Sequence, residues 1–211
     1  MFAIEMLEDE HKLIVRVVEM LPLIQQKVEK GDVDPEVLLA FVDFFQVYVG
    51  KSHHVKEEEV LFPLLVKRGV PLNGCPISDL RNEHDQGRMH MRALGEAVRR
   101  YIDGVSDAKQ IADYLRHAAD FYKGHIWKED FLLFSMSRKV FNDSDQDELL
   151  KEFMSVDSKL GHHFQEEYHY RVSRLESILK GDGKITHPWS PHNRLEEPTH
   201  LIHRLEEILR A

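Results

Sequence analysis

His53-His54-Val55-Lys56-Glu57-Glu58-Glu59-Val60-Leu61-Phe62-Pro63-Leu64-Leu65 sets two histidines and three glutamates inside an apolar frame that begins with Phe41, Phe44, Phe45, Val47 and Tyr48. The frame reads as a core-facing helix, and a helix that buries charge needs a compensating partner. A histidine and a glutamate four positions apart share one helix face, so an imidazole nitrogen and a carboxylate oxygen can converge on one ion. Two such pairs overlap here, His53 with Glu57 and His54 with Glu58. Phe45, Val49, Val60 and Leu64 continue the first face and Phe44, Val47, Leu61 and Leu65 the second, so periodicity does not choose between them. The spacing recurs within an apolar run at His125 and Glu129, beside Tyr122, Ile126, Trp127, Phe131 and Leu132. Two such helices facing each other would make a two-metal site.

Outward from that stretch the chain reads as long helices with short connections. Ile4, Leu7, His11, Ile14, Val18 and Leu21 mark a buried stripe on a first helix from about Ile4 to Glu29, with Pro22 a candidate kink. Gly31 and Asp-Val-Asp-Pro stop it and start a second, from about Pro35 to Lys67. Gly69, Pro71, Gly74 and Pro76 form a loop. A third helix, about Ser78 to Asp103, carries Leu80, His84, Gly87, Met91 and Leu94 on one face. The fourth, about Ala108 to Val140, carries Leu115, Ala118, Tyr122, His125, Glu129 and Leu132. The result is an all-α, up-down-up-down four-helix bundle in which each helix offers a histidine from its buried face.

A fifth helix is expected from about Gln146 to Lys180, interrupted near Gly161, so that residues 1–180 form the bundle with its added helix. Residues 181–211 read as a linker followed by a short amphipathic tail helix from about Thr199 to Arg210, which must pack on the bundle or on another subunit. That makes a homo-oligomer through the tail an expectation. His162-His163-Phe-Gln-Glu166-Glu167 repeats the paired spacing among charges without an apolar stripe and reads as solvated surface, as do His187, His192, His200 and His203.

Composition narrows the chemistry. The net charge of −9, with both signs interspersed, argues against nucleic acid and anionic membranes. The acidic N-terminal stretch has no signal-peptide pattern and no run is long enough to span a bilayer, so a cytoplasmic protein is expected. One cysteine among 211 residues leaves a metal site to histidine and carboxylate, and 14 histidines supply it. Carboxylates and imidazoles in one apolar core need either basic partners on the same stripes, where none stands out, or metal. Nitrogen and oxygen donors without sulfur suit iron or manganese, with imidazole also open to zinc and copper.

The order Glu10-His11, His53-His54-x-x-Glu57-Glu58 with Leu61-Phe62-Pro63, Glu83-His84-Asp85-Gln86-Gly87-Arg88 and His125-x-x-x-Glu129 resembles the hemerythrin-like cation-binding family over about Met1 to Lys180. The resemblance implies two iron ions, oxo- or hydroxo-bridged, ahead of zinc or manganese, in a centre that binds, senses or reacts with dioxygen, nitric oxide or peroxide. It selects His11, His54, Glu58, His84, His125 and Glu129 as ligands. The oxygen-carrying members differ: their third helix presents two histidines four apart, where this chain has Arg88, and their fourth-helix carboxylate is an aspartate five after the histidine. Glu129 rather than Asp130 shares a face with His125 on an ideal helix. Four histidines would leave an open position on both metals, which suits reaction or sensing over reversible carriage, and the resemblance extends to members linked to nitric-oxide response, iron-cluster repair or iron sensing.

Overall fold

A computed structural model describes residues 2–105 and 108–181, and among these all regular structure is helical. Helix α1 is Ala3–Glu29, α2 spans 35–67, α3 is Ile77–Ile102, α4 spans 108–140, α5 is Asp143–Leu160 and α6 is Phe164–Leu179. α1 runs unbroken through Pro22. Asp34 caps α2 by accepting from the Glu36 amide at 2.8 Å, with Pro35 in the first turn where its missing N–H costs nothing. Asn142 and Asp145 exchange capping bonds at 3.0 and 3.1 Å to start α5, and Asp145 also accepts from Arg68, which ties α5 to the end of α2.

Helices α1 to α4 form the bundle. α1 packs most extensively on α4, and α3 packs on both α4 and α2. The fifth helix expected from about Gln146 to Lys180 with an interruption near Gly161 is two helices: Gly161, at φ +153° and ψ +150°, adopts a conformation essentially restricted to glycine and separates α5 from α6. Both pack on α1, and α5 also covers the middle of α2. The expected tail helix and linker lie outside the described residues. No described helix is long and apolar enough to cross a membrane.

Two helices depart from the α form. In α2 the segments Phe44–His53 and Lys56–Leu61 are π-helical, and so is Glu129–Phe134 in α4. Their amides reach back five residues rather than four, as when Phe62 N–H donates to Glu57 O, and the wider turn rotates side chains off the ideal wheel. Pro63, which has no N–H to give, follows at the junction where the α form resumes.

The apolar interior is divided. One cluster gathers Leu13 to Val28 of α1, Val37 to Val49 of α2, Met91 to Val98 of α3, Ile111 to Ile126 of α4 and the apolar face of α6. The other gathers Ala3 to Leu7, Leu61 to Val70, Ile77, Leu80, Leu133, Phe134, Leu149 and Phe153. A band of buried polar residues crosses all four bundle helices between them: His11, His53, His54, Lys56, Glu57, His84, His125 and Glu129.

Candidate metal centre

Two groups of side chains converge in that band. His54, His84 and His125 form one; His11, His53, Glu57 and Glu129 form the other, and in each group the potential ligand atoms lie within 4.8 Å of one another. The two carboxylates join the groups. Glu129 Oε1 is 3.0 Å from His125 Nε2 and 3.3 Å from His84 Nε2, while its Oε2 is 3.1 Å from His11 Nε2. Glu57 Oε2 is 3.4 Å from His84 Nε2 and 3.7 Å from His53 Nε2.

The inner nitrogens have outer counterparts. His11 Nδ1 donates to Asp130 at 2.7 Å, His53 Nδ1 to Glu10 at 2.9 Å, His84 Nδ1 to Glu58 at 2.6 Å and His125 Nδ1 to Glu83 at 2.9 Å. A bond of this kind fixes the ring and, in the neutral imidazole, the tautomer that leaves the Nε2 lone pair facing inward. These carboxylates are held in turn: Glu58 by Arg88 at 2.9 Å, Glu83 by Lys128 and Glu10 by Lys56. His54 has no such support. Both of its nitrogens are buried without a hydrogen bond among the described residues, and its ring stacks on His84 with centroids 3.8 Å apart.

Of the six expected ligands, the structure brings His11, His54, His84, His125 and Glu129 together. Glu58 stands outside, about one-fifth exposed and bonded to His84 and Arg88, and Glu57, fully buried, takes the inner place. His53 joins as well, so five histidines converge where four were expected. The widened turns of α2 present His53, His54 and Glu57 to the same side. Asp130, five after His125, acts from behind on His11 rather than toward the centre.

Trp127, part of the apolar run beside His125, is 54% exposed and stacks on Phe131, whereas Tyr48, Phe62 and Tyr122 are buried. The residues 162, 163, 166 and 167 are exposed and form no comparable cluster. One buried cation also escaped the sequence reading: Lys56, in the midst of a charged run, is fully enclosed.

The centre is electrostatically divided. Burial pushes the Glu57 carboxyl well above its usual range, reinforced by neighbouring Glu129. Glu129, despite the same burial, is held well below by His125, His11 and His84. Burial, with His84 and His125 alongside, carries His54 well below an ordinary imidazole. Both Glu57 oxygens, His125 Nε2 and Glu129 Oε2 lack a well-aligned hydrogen bond, although histidine and carboxylate atoms stand close by. Buried donor atoms that face one another and are not satisfied by one another are what a cation between them would complete. The set fits two ions: three imidazoles on one side, two on the other, and a pair of carboxylates between.

A cleft of about 120 Å³ reaches His54 from the surface between α2, α3 and α4, walled by Phe45, Gly50, Gly87, Met91 and Tyr122. Gly87 keeps that wall thin, since a Cβ there would stand 3.3 Å from Phe121 Cε1.

Residues 3–137 match the family model described as Hemerythrin HHE cation binding domain. No curated protein and no solved structure gives a significant match.

Proposed function

Because the chain belongs to the hemerythrin HHE cation-binding domain family, we propose that its buried polar band holds two iron ions and that the centre binds, senses or reacts with dioxygen, nitric oxide or peroxide. His54, His84 and His125 would hold one ion, His11 and His53 the other, with Glu57 and Glu129 between them. The observation that carries this reading is the position of the two carboxylates, each within reach of histidines from both groups. Five imidazoles and two carboxylates without sulfur favour iron over softer metals.

When bound, the iron pair supplies Lewis acidity and one-electron chemistry toward a small ligand. The chain's own part is to orient and to exclude. Asp130, Glu10, Glu58 and Glu83 keep a proton on each outer nitrogen so that the inner lone pairs stay available. The two apolar clusters above and below the band keep bulk water away, and the cleft beside His54, of about 120 Å³, is the size of a small ligand. Arg88, where the carriers have a further histidine, fastens Glu58 to Asp85 at the edge of that cleft.

Metal analysis of protein produced with iron should find close to two irons per chain, with a near-ultraviolet absorption that zinc cannot give. A reproducible content near one, or zinc in preference to supplied iron, would overturn the reading. Turnover with peroxide separates a centre that reacts from one that only binds.

A further inference from the structure

We propose that Lys56, Asp157 and Gln165 are positioning residues through which α5 and α6 set the two-histidine half of the centre, by holding Glu10 against His53. The proposal rests on the di-metal reading above. Glu10 differs from the other outer carboxylates. The side chains of Glu83, Glu58 and Asp130 are 17%, 19% and 35% exposed and can draw on water, whereas that of Glu10 is 3% exposed. A carboxylate so enclosed keeps its charge and its direction only if the protein supplies every partner.

Those partners are Lys56 of α2 and Gln165 of α6, and Asp157 of α5 holds both of them. Lys56 Nζ bonds Glu10 Oε1 and also reaches Asp157 Oδ1 of α5 at 2.7 Å and Ser52 Oγ at 3.0 Å. Gln165 of α6 donates to Glu10 Oε1 at 3.1 Å and to Asp157 Oδ2 at 2.9 Å, and its own Oε1 accepts from Tyr48 OH at 2.8 Å. Ser52 Oγ donates to Asp157 at 2.6 Å. With both contacts on Oε1, the remaining oxygen of Glu10 is left for His53 Nδ1. Asp157 and Gln165 lie beyond the residues 3–137 that match the family. Two carboxylates against one ammonium leave this cluster one negative charge, which a cation on the far side of His53 would balance. Among the described residues the opposite, three-histidine half makes no hydrogen bond to α5 or α6: His84 and His125 are steadied from α2 and α3, and His54 only by stacking on His84.

The test uses full-length, iron-loaded protein carrying Asp157→Asn or Gln165→Leu, with Asp157→Glu as the conservative rescue. Iron titration should show one ion bound as in the parent and the other weakened severalfold, short of the about 10- to 100-fold that follows losing a ligand's own outer partner. Mössbauer spectra should show one of two iron environments altered and the other unchanged, with Asp157→Glu returning the altered one toward the parent. Both ions held with parental affinity and unshifted spectra would overturn the proposal. So would loss of both ions together with helicity, which would make the role of these residues purely structural. A parent protein that binds no metal pair would defeat the di-metal reading and this proposal with it.

Discussion

Glu57 and Glu58 are neighbours in the chain and opposites in the fold. Glu57 faces the centre, where burial and Glu129 favour its protonated form, whereas burial is outweighed at Glu58 by His84 and Arg88, which hold it low. Glu57→Ala should therefore remove an inner ligand and abolish the metal pair, while Glu58→Ala should leave two ions bound about 10- to 100-fold more weakly, measured by metal content and competitive chelation. Iron surviving the first change and lost in the second would reverse the assignment. The histidines make a second prediction. Burial alone would lower His11 and His125, but Asp130 and Glu129 carry His11, and Glu129 with Glu83 carry His125, from 6.5 up to about 9. A value raised by folding contributes stability that is complete below 6.5 and is lost as pH rises through about 9. Metal needs the same nitrogens bare and must displace their protons. Between those pH values the melting temperature of chelated protein should fall while metal affinity climbs. Calorimetry in buffers of different ionisation enthalpy reads the released protons, and a pH-independent affinity would contradict the argument.

The helices show why part of this was legible in the sequence and part was not. α1 and α3 are regular, and each contributes one histidine that sits on its stripe as periodicity predicts: His11 between Leu7 and Ile14, His84 between Leu80 and Met91. α2 and α4 carry the π-helical segments and the remaining candidate ligands, and there a wheel of about 3.6 residues per turn stops being a guide. One clue survived. At about 100° per residue, Glu57 falls between the two histidines, about 40° from His53 and about 60° from His54, so using both histidines points to Glu57 rather than Glu58. Weighing only pairs four apart hides it. The bonds from Asp157 and Gln165 had no local trace, because Asp157 meets Ser52 across 105 positions and Gln165 meets Glu10 across 155. The α3–α4 contact is testable by itself. Gly87→Val would press on Phe121, whose ring stacks on His125 at 5.8 Å, and should cost about 1–3 kcal/mol and loosen the ion on that side. Gly124→Ala on the same α4, where a Cβ meets open space, should instead gain up to about 1 kcal/mol in thermal or urea denaturation.

Across the whole molecule the centre is both cargo and fastening. An ion bound only by the folded state stabilises it by mass action, about 4 kcal/mol when free metal exceeds its dissociation constant about 1,000-fold. Removal by chelator should lower the melting temperature accordingly, and an unchanged melt in verified metal-free protein would show that the band is neutralised some other way. The enclosed Lys56 adds a consequence for the order of events during synthesis. Residues emerge from the ribosome in the order they are made, so every candidate inner ligand, from His11 to Glu129, emerges before Asp157 or Gln165. At about 5–20 residues per second the clamp arrives about 2–7 s after the last ligand. On the proposed reading, a chain that meets metal in that interval would complete its three-histidine half first, and the second ion would wait for α6.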